Sequence, residues 1–258
     1  MSELDDPGRY QELRDRIRGK HSLDALYREV YAKYAACVSR CPPDGGVLEI
    51  GSGAGFAREA IPGLIASDIL AYEGLNVVLD ARRLPFETGA LRAILMFNVF
   101  HHIPDVGALL AECERVLRPG GRVLIVDEHP GVIGAPILRY LHHEPYLPSA
   151  GWTFQTTGPL SGANGALCWI VFRRDRAEFE RRFPGLSLER YQPHTPLRYW
   201  LSGGLKPWTL IPRALFAAAT TFDRALAAAW PDLGSFVDVE LVRRGRPEST
   251  SVARLARW

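Results

Sequence analysis

Three groups of residues in this chain have types and spacings suited to chemistry. The first is Glu49-Ile50-Gly51-Ser52-Gly53-Ala54-Gly55, where three glycines on alternate positions follow a short apolar run at 47–50. A side chain there would hold the backbone off a ligand, and tight turns need φ values that other residues avoid. The pattern predicts a buried strand running into a turn that opens a helix, whose unpaired first amides face the carboxylate or phosphate of a nucleotide-type ligand. Taken alone it is equally a structural strand–turn–helix corner. The second group closes successive apolar runs: Asp68 after 64–67, Asp80 after 77–79, Asn98 after 93–97, and Asp127-Glu128-His129 after 123–126. The third is His101-His102. Imidazole titrates near neutral pH and can take a proton from an attacking hydroxyl. The competing reading, that the pair only shapes its loop, stands beside that one. His129 and His142-His143-Glu144 are further candidates for a base; no metal site is expected there, because adjacent side chains rarely converge on one ion.

The elements that must position these groups follow from the apolar periodicity. Polar residues gathered at the carboxyl ends of apolar strands mark the ligand edge of an open α/β sheet. Residues 9–40 predict two helices, with stripes Tyr10, Leu13, Ile17 and Leu23, Tyr27, Val30, Tyr34, Val38. These either pack on the sheet or form a lid over the ligand. Only residues 69–76 separate Asp68 from the next run. That is too short for the usual crossover helix, so the helix there is predicted to be missing or a single turn. Asp105 should cap a helix bearing Val106, Leu109, Leu110, Cys113, Val116 and Leu117, stopped by Arg118-Pro119-Gly120-Gly121. Beyond 128 the composition changes, and all six tryptophans follow residue 150. A short helix is expected at 131–140, a flexible loop at 161–165, a charged helix at 174–183, and strands within 186–199 and 235–242. Between those strands, 212–230 reads as an amphipathic helix with Leu215, Phe222, Leu226 and Trp230 on one face. Core packing or a dimer surface explains that stripe better than membrane contact.

At 258 residues and 47% apolar side chains, the chain suits one domain over 1–258: a helical cap at 1–45, a ligand-binding half at 46–128 and a substrate-side part at 129–258. A net charge of +2 gives no field to recruit nucleic acid. Cys37, Cys41, Cys113 and Cys168 are too few and scattered for a disulfide scaffold. The acidic start at 1–6 is no signal peptide, and no apolar run is long enough for a membrane span. A cytoplasmic protein is expected, with Arg243, Arg244, Arg246, Arg254 and Arg257 forming a solvated basic tail.

The glycine loop, the Asp80-Ala81-Arg82-Arg83-Leu84-Pro85-Phe86 segment, Asn98-Val99-Phe100-His101-His102-Ile103-Pro104-Asp105 and Leu117-Arg118-Pro119-Gly120-Gly121-Arg122-Val123-Leu124 stand in a specific order. Over roughly residues 45–130 the chain resembles the class I S-adenosylmethionine (SAM)-dependent methyltransferases, within them the type 11 or ubiquinone/menaquinone-methyltransferase-like small-molecule group. The resemblance implies an α/β, Rossmann-like, doubly wound sheet of seven mostly parallel strands with an antiparallel last strand and a helical N-terminal lid. It implies SAM as cofactor and methyl transfer to a small acceptor, apolar or aromatic to suit the tryptophan-rich half; a SAM-binding protein of the same fold that does not methylate is the alternative. Glu49, Gly51, Ser52, Gly53 and Gly55 would surround the methionine part of SAM. Asp68 would hold the ribose, although the shortened 69–76 segment makes a turn-capping role its rival. Asp80 and the Ala81 amide would read the adenine edge, and Asn98 would floor the site. A nicotinamide-dependent oxidoreductase fits less well, because Phe56 stands where a third spaced glycine would be required.

Overall fold

Seven strands form one sheet in the order β3-β2-β1-β4-β5-β7-β6. They are β1 (Gly46–Ile50), β2 (Ile65–Asp68), β3 (Val77–Val78), β4 (Leu91–Phe97), β5 (Leu117–Glu128), β6 (Leu186–His194) and β7 (Phe236–Arg243). In this computed structural model, residues 6–156, 158 and 162–245 are described. Met1 to Asp5, Ser161, Arg246, Arg254, Arg257 and Trp258, which carried the acidic start and parts of the loop and basic tail, lie outside them. β7 pairs antiparallel with both β5 and β6, while the other pairings are parallel. The architecture is the expected doubly wound, Rossmann-like one. Chain order reverses between β1 and β4, and at such a switch point the strand ends leave a crevice for a ligand.

The helices are α1 (Tyr10–Gly19), α2 (His21–Val38), α3 (Val106–Val116), α4 (Gly134–Tyr140), α5 (Leu167–Trp169, continuing as a π turn), α6 (Arg176–Arg182), α7 (Arg198–Ser202) and α8 (Phe216–Ala229). The helix expected after the glycine loop is absent: a three-residue 3₁₀ turn, Ala57–Glu59, stands there. Pro62 and Gly63, the latter at φ 78°, stop any continuation before β2. Between β2 and β3 there is likewise no helix, as the 69–76 spacing predicts. The N-terminal helices replace what is missing. Leu23, Val30, Tyr31, Tyr34 and Cys37 of α2 pack on Val47, Ala66, Ala93, Leu95, Leu124 and Val126, one face of the sheet. The alternate residues Leu48, Ile94, Met96, Val123 and Ile125 pack on the opposite face with Leu109, Leu110 and Cys113 of α3 and with Phe172 and Phe179. Burial on both faces is why these strands read as continuous apolar runs.

Asp105 caps α3 as predicted, its Oδ1 accepting from the Ala108 amide at 3.0 Å. Arg118-Pro119-Gly120-Gly121 departs from expectation, because Leu117 already opens β5 and the segment lies within that strand. Of the two readings of the α8 stripe, core packing is the one that fails. Leu215, Phe222 and Trp230 are 58%, 62% and 63% exposed, so they are not core residues of this chain. The helix turns its acid inward instead. Asp223 accepts from Arg198 Nε at 3.0 Å and from the Leu197 amide at 2.8 Å, and Arg198 also grips Glu29 of α2 through two 2.8 Å contacts. That buried ion pair fixes which side of α8 faces the protein, because leaving either charge unpaired there is costly.

Candidate active site

A cleft of about 1090 Å³ opens at the carboxyl ends of the strands beside the switch point. Every residue assigned above to SAM lines it, as do His101 and His102. Arg9, Leu13, Arg16 and Ile17 close one side, so α1 contributes to a lid while α2 builds core.

The turn after β1 shows what each glycine is for. At Gly51, φ is 71° and an added Cβ would stand 2.2 Å from Val99 Cγ2, so neither backbone nor space allows a side chain. At Gly55 a Cβ would come 2.5 Å from the Tyr31 hydroxyl, which accepts the Phe56 amide at 3.0 Å and ties the loop to α2. Tyr31→Phe would strand that buried amide. The expected loss is about 1–3 kcal/mol, read by thermal unfolding. Gly53 differs from both. It has φ 46°, and a Cβ there would meet nothing within 4 Å, because the position opens onto the cleft.

The acidic residues are arranged around this turn. Glu49 is 4% exposed, and burial pushes its carboxyl up to about 7 against the pull of a Ser52 hydrogen bond. Asp68 accepts the Gly53 amide at 2.9 Å and the Leu70 amide at 3.0 Å, so it braces the glycine turn and caps its own turn as well as facing the cleft. Asp80 is paired with Arg82, whose amide donates to it at 2.9 Å and whose guanidinium contacts both oxygens; that hydrogen bonding holds the carboxyl below its usual range. The shared turn leaves Ala81 buried beside it. Asn98 has φ 53°, a left-handed backbone uncommon outside glycine, and its buried Oδ1 has no hydrogen-bond partner. Strain and an orphaned acceptor together at a strand end mark a position shaped for something other than stability.

The histidine pair divides. His101 is 3% exposed; its Nδ1 meets Asp127 Oδ1 at 2.5 Å and its Nε2 meets Glu144 Oε2 at 3.2 Å. Burial opposes its charge, but the surrounding carboxylates of Asp127, Glu128 and Glu144 outweigh it and hold the ring protonated well above its ordinary range. With both nitrogens committed to carboxylates, His101 has no lone pair to offer. His102 donates from Nδ1 to the Gly162 carbonyl at 3.1 Å, since a carbonyl can only accept, and this leaves the Nε2 lone pair free. Burial, and then the His101 cation, push it down to about 4, so it is neutral at pH 7. His129 does not line the cleft; its ring meets the Tyr191 hydroxyl at 2.9 Å.

Residues the sequence reading passed over also face the cleft: Tyr27 from α2, Tyr72, and Tyr199 and Trp200 from α7. Tyr27 was read only as part of a helical stripe, and α7 carries no local signal of its own.

Residues 48–125 match the family model described as a methyltransferase domain. Over 131 residues the chain is 32% identical to the ubiquinone/menaquinone biosynthesis C-methyltransferase UbiE of Desulfotalea psychrophila, covering 50% of this chain and 46% of that protein. It is 35% identical over 92 residues to the demethylmenaquinone methyltransferase of Thermus thermophilus, covering 35% and 39%. Residues 48–125 are a methyltransferase domain. The chain spans less than half the length of the curated relatives it matches. Among solved structures, the geranyl diphosphate C-methyltransferase of Streptomyces coelicolor, crystallised with Mg²⁺, geranyl diphosphate and S-adenosyl-L-homocysteine, is 18% identical over 86% of this chain and 82% of that one, with a TM-score of 0.48. The matched 48–125 segment carries β1, β2, β3, β4, α3 and the first part of β5. It therefore includes the glycine turn, both acidic turns and the histidine pair of this methyltransferase domain.

Proposed function

We propose that the chain binds SAM across the turn after β1 and transfers its methyl group to a small, apolar or aromatic acceptor in the same cleft. The observation that carries this reading is Gly53, a left-handed glycine with open cleft where its side chain would be, set between a buried Glu49 and the braced carboxylate of Asp68. Among the described residues Glu49 makes no salt bridge, and Arg58 is the smallest of the influences on it, so an amino-acid ammonium would supply the charge it lacks. Gly51, Ser52 and Gly55 would frame that end. Asp68 would meet the ribose, with lone pairs left beside its two backbone bonds. Asp80 and the Ala81 amide would meet the adenine edge, Asp80 sharing its carboxylate with Arg82. Asn98, with its unpaired Oδ1, would floor the methionine end.

SAM when bound supplies an activated methyl, so the protein's work is alignment and exclusion of water. Phe97, Ile137, Leu141, Trp200 and Trp208 line the cleft and favour an apolar or aromatic acceptor. UbiE-type relatives are named for quinone biosynthesis; an acceptor of comparable aromatic character suits this lining. His102, with its free Nε2, is the base, and Glu144 Oε1 at 3.6 Å is placed to stabilise the ring as it gains a proton. His101, carrying its proton between two carboxylates, positions Glu144.

Methyl-labelled SAM incubated with the chain and a cell extract tests the reading. Label is expected in a small organic-extractable product. Bound SAM with no transferred label would favour the non-methylating alternative. A linked effect is also expected. Glu49, at about 7 in the free protein, should ionise when an ammonium binds beside it, so SAM binding at pH 6 releases up to about one proton and at pH 8.5 almost none. Calorimetry in buffers of different ionisation enthalpy reads this directly, and Glu49→Gln should abolish the release.

A further inference from the structure

We infer that Glu128, His142 and Glu144 form a binding site for one divalent transition-metal ion on the acceptor side of the cleft. The inference concerns these side chains alone and does not rest on methyl transfer. One ligand atom from each of the three lies within 4.8 Å of the others, and all three residues line the cleft. Glu128 Oε1 is 3.9 Å from His142 Nε2, and His142 Nδ1 is 3.8 Å from Glu144 Oε2. These separations are too long for hydrogen bonds. The two contacts use opposite nitrogens of the ring, and one ion takes only one of them. The 4.8 Å within which the three ligand atoms lie is wider than the spacing of ligands on one ion with bonds of about 2.0–2.2 Å, and a small side-chain movement would close it.

Two independent features point to an occupant. Glu128 is 4% exposed, yet its Oε2 has no hydrogen-bond partner, and His142 Nδ1 is likewise buried and unpartnered. Buried polar atoms are ordinarily satisfied, and here an oxygen and a nitrogen are left open in one corner of the cleft. The neighbouring cation cannot serve both, because His101 commits its two nitrogens to Asp127 and Glu144. The same His101 contact supports Glu144 from behind, as an outer partner does for a ligating carboxylate. Gly165 leaves the room: a Cβ there would stand 2.3 Å from Glu128 Oε2.

His142, His143 and Glu144, adjacent in sequence, do not converge on one ion, because the His143 side chain is 61% exposed. The fold replaces His143 with Glu128 from the end of β5, remote in sequence. One imidazole nitrogen with two carboxylate oxygens suits Zn²⁺, Mn²⁺ or Fe²⁺ better than Mg²⁺, which prefers oxygen ligands and water.

The test uses the tag-free full chain, stripped with chelator and dialysed to equilibrium against Zn²⁺ or Mn²⁺, with bound metal measured by mass spectrometry. One ion per chain is expected. Glu128→Gln and His142→Ala should each weaken binding tenfold or more. His142→Ala is the cleaner variant because its ring nitrogens make no hydrogen bond that folding would lose; its melting curve in chelator should match the parent's. No stoichiometric ion in the parent chain, or an ion bound equally well by both variants, would overturn the site.

Discussion

Replacing His101 by glutamine is expected to destabilise the chain by about 3–5 kcal/mol, the scale for breaking a buried ion pair from one side. In a domain of this size that corresponds to a fall in Tm of roughly 6–20 °C. The reason is geometric. His101 lies between Asp127, which is 1% exposed, and Glu144, and Glu128 is buried beside them. A neutral side chain would leave these acids without their shared cation. Burial disfavours the charged ring, but the carboxylates raise its folded-state pKa above the unfolded value. The stabilisation is therefore fully present below the unfolded value, about 6.5, and is lost as pH rises through the higher folded one. The Tm gap between parent and variant should be wide at pH 6.5 and narrow as pH rises toward the folded pKa. A gap that widened with alkalinity would mean that His101 is neutral in the native protein.

Gly53→Ala separates binding from folding. The added methyl meets no protein atom within 4 Å, and its cost to stability is that of a left-handed alanine, about 1–2 kcal/mol. If the amino-acid end of SAM lies over this turn, the same methyl intrudes on it, and affinity should fall by about tenfold or more, equivalent to roughly 1.4 kcal/mol. A variant that melts slightly early but binds SAM as tightly as the parent would place the ligand elsewhere. The comparison with Gly51 is instructive, because there a methyl would strike Val99 and damage fold and site together.

Much of the site was legible because the residues that build it stand at the ends of short apolar runs. Each of Glu49, Gly51, Asp68, Asp80, Asn98 and His101 could be placed at a strand end by counting, and parallel strands bring such ends to one edge. What could not be read was the connection chemistry. The helix expected after Gly55 is a single turn, because Pro62 and Gly63 close the segment before more can form. The covering helix comes instead from α2, far upstream. The core reading of the α8 stripe failed for a related reason. Periodicity identifies an apolar face but not its direction, and here the pairing of Asp223 with Arg198 set the direction. Partners remote in sequence, such as Asp127 for His101 or Glu128 for His142, follow only from the sheet order. Among the described residues no helix is long and apolar enough to cross a membrane.

The central claim is that the turn after β1 grips the amino-acid end of SAM. Calorimetric titration of the full chain with SAM, and in parallel with 5′-methylthioadenosine, which lacks that end, tests it most directly. Saturable one-to-one binding of SAM, with much weaker binding of the truncated compound, is the predicted result. No heat from millimolar SAM, or equal affinity for the two compounds, would contradict it.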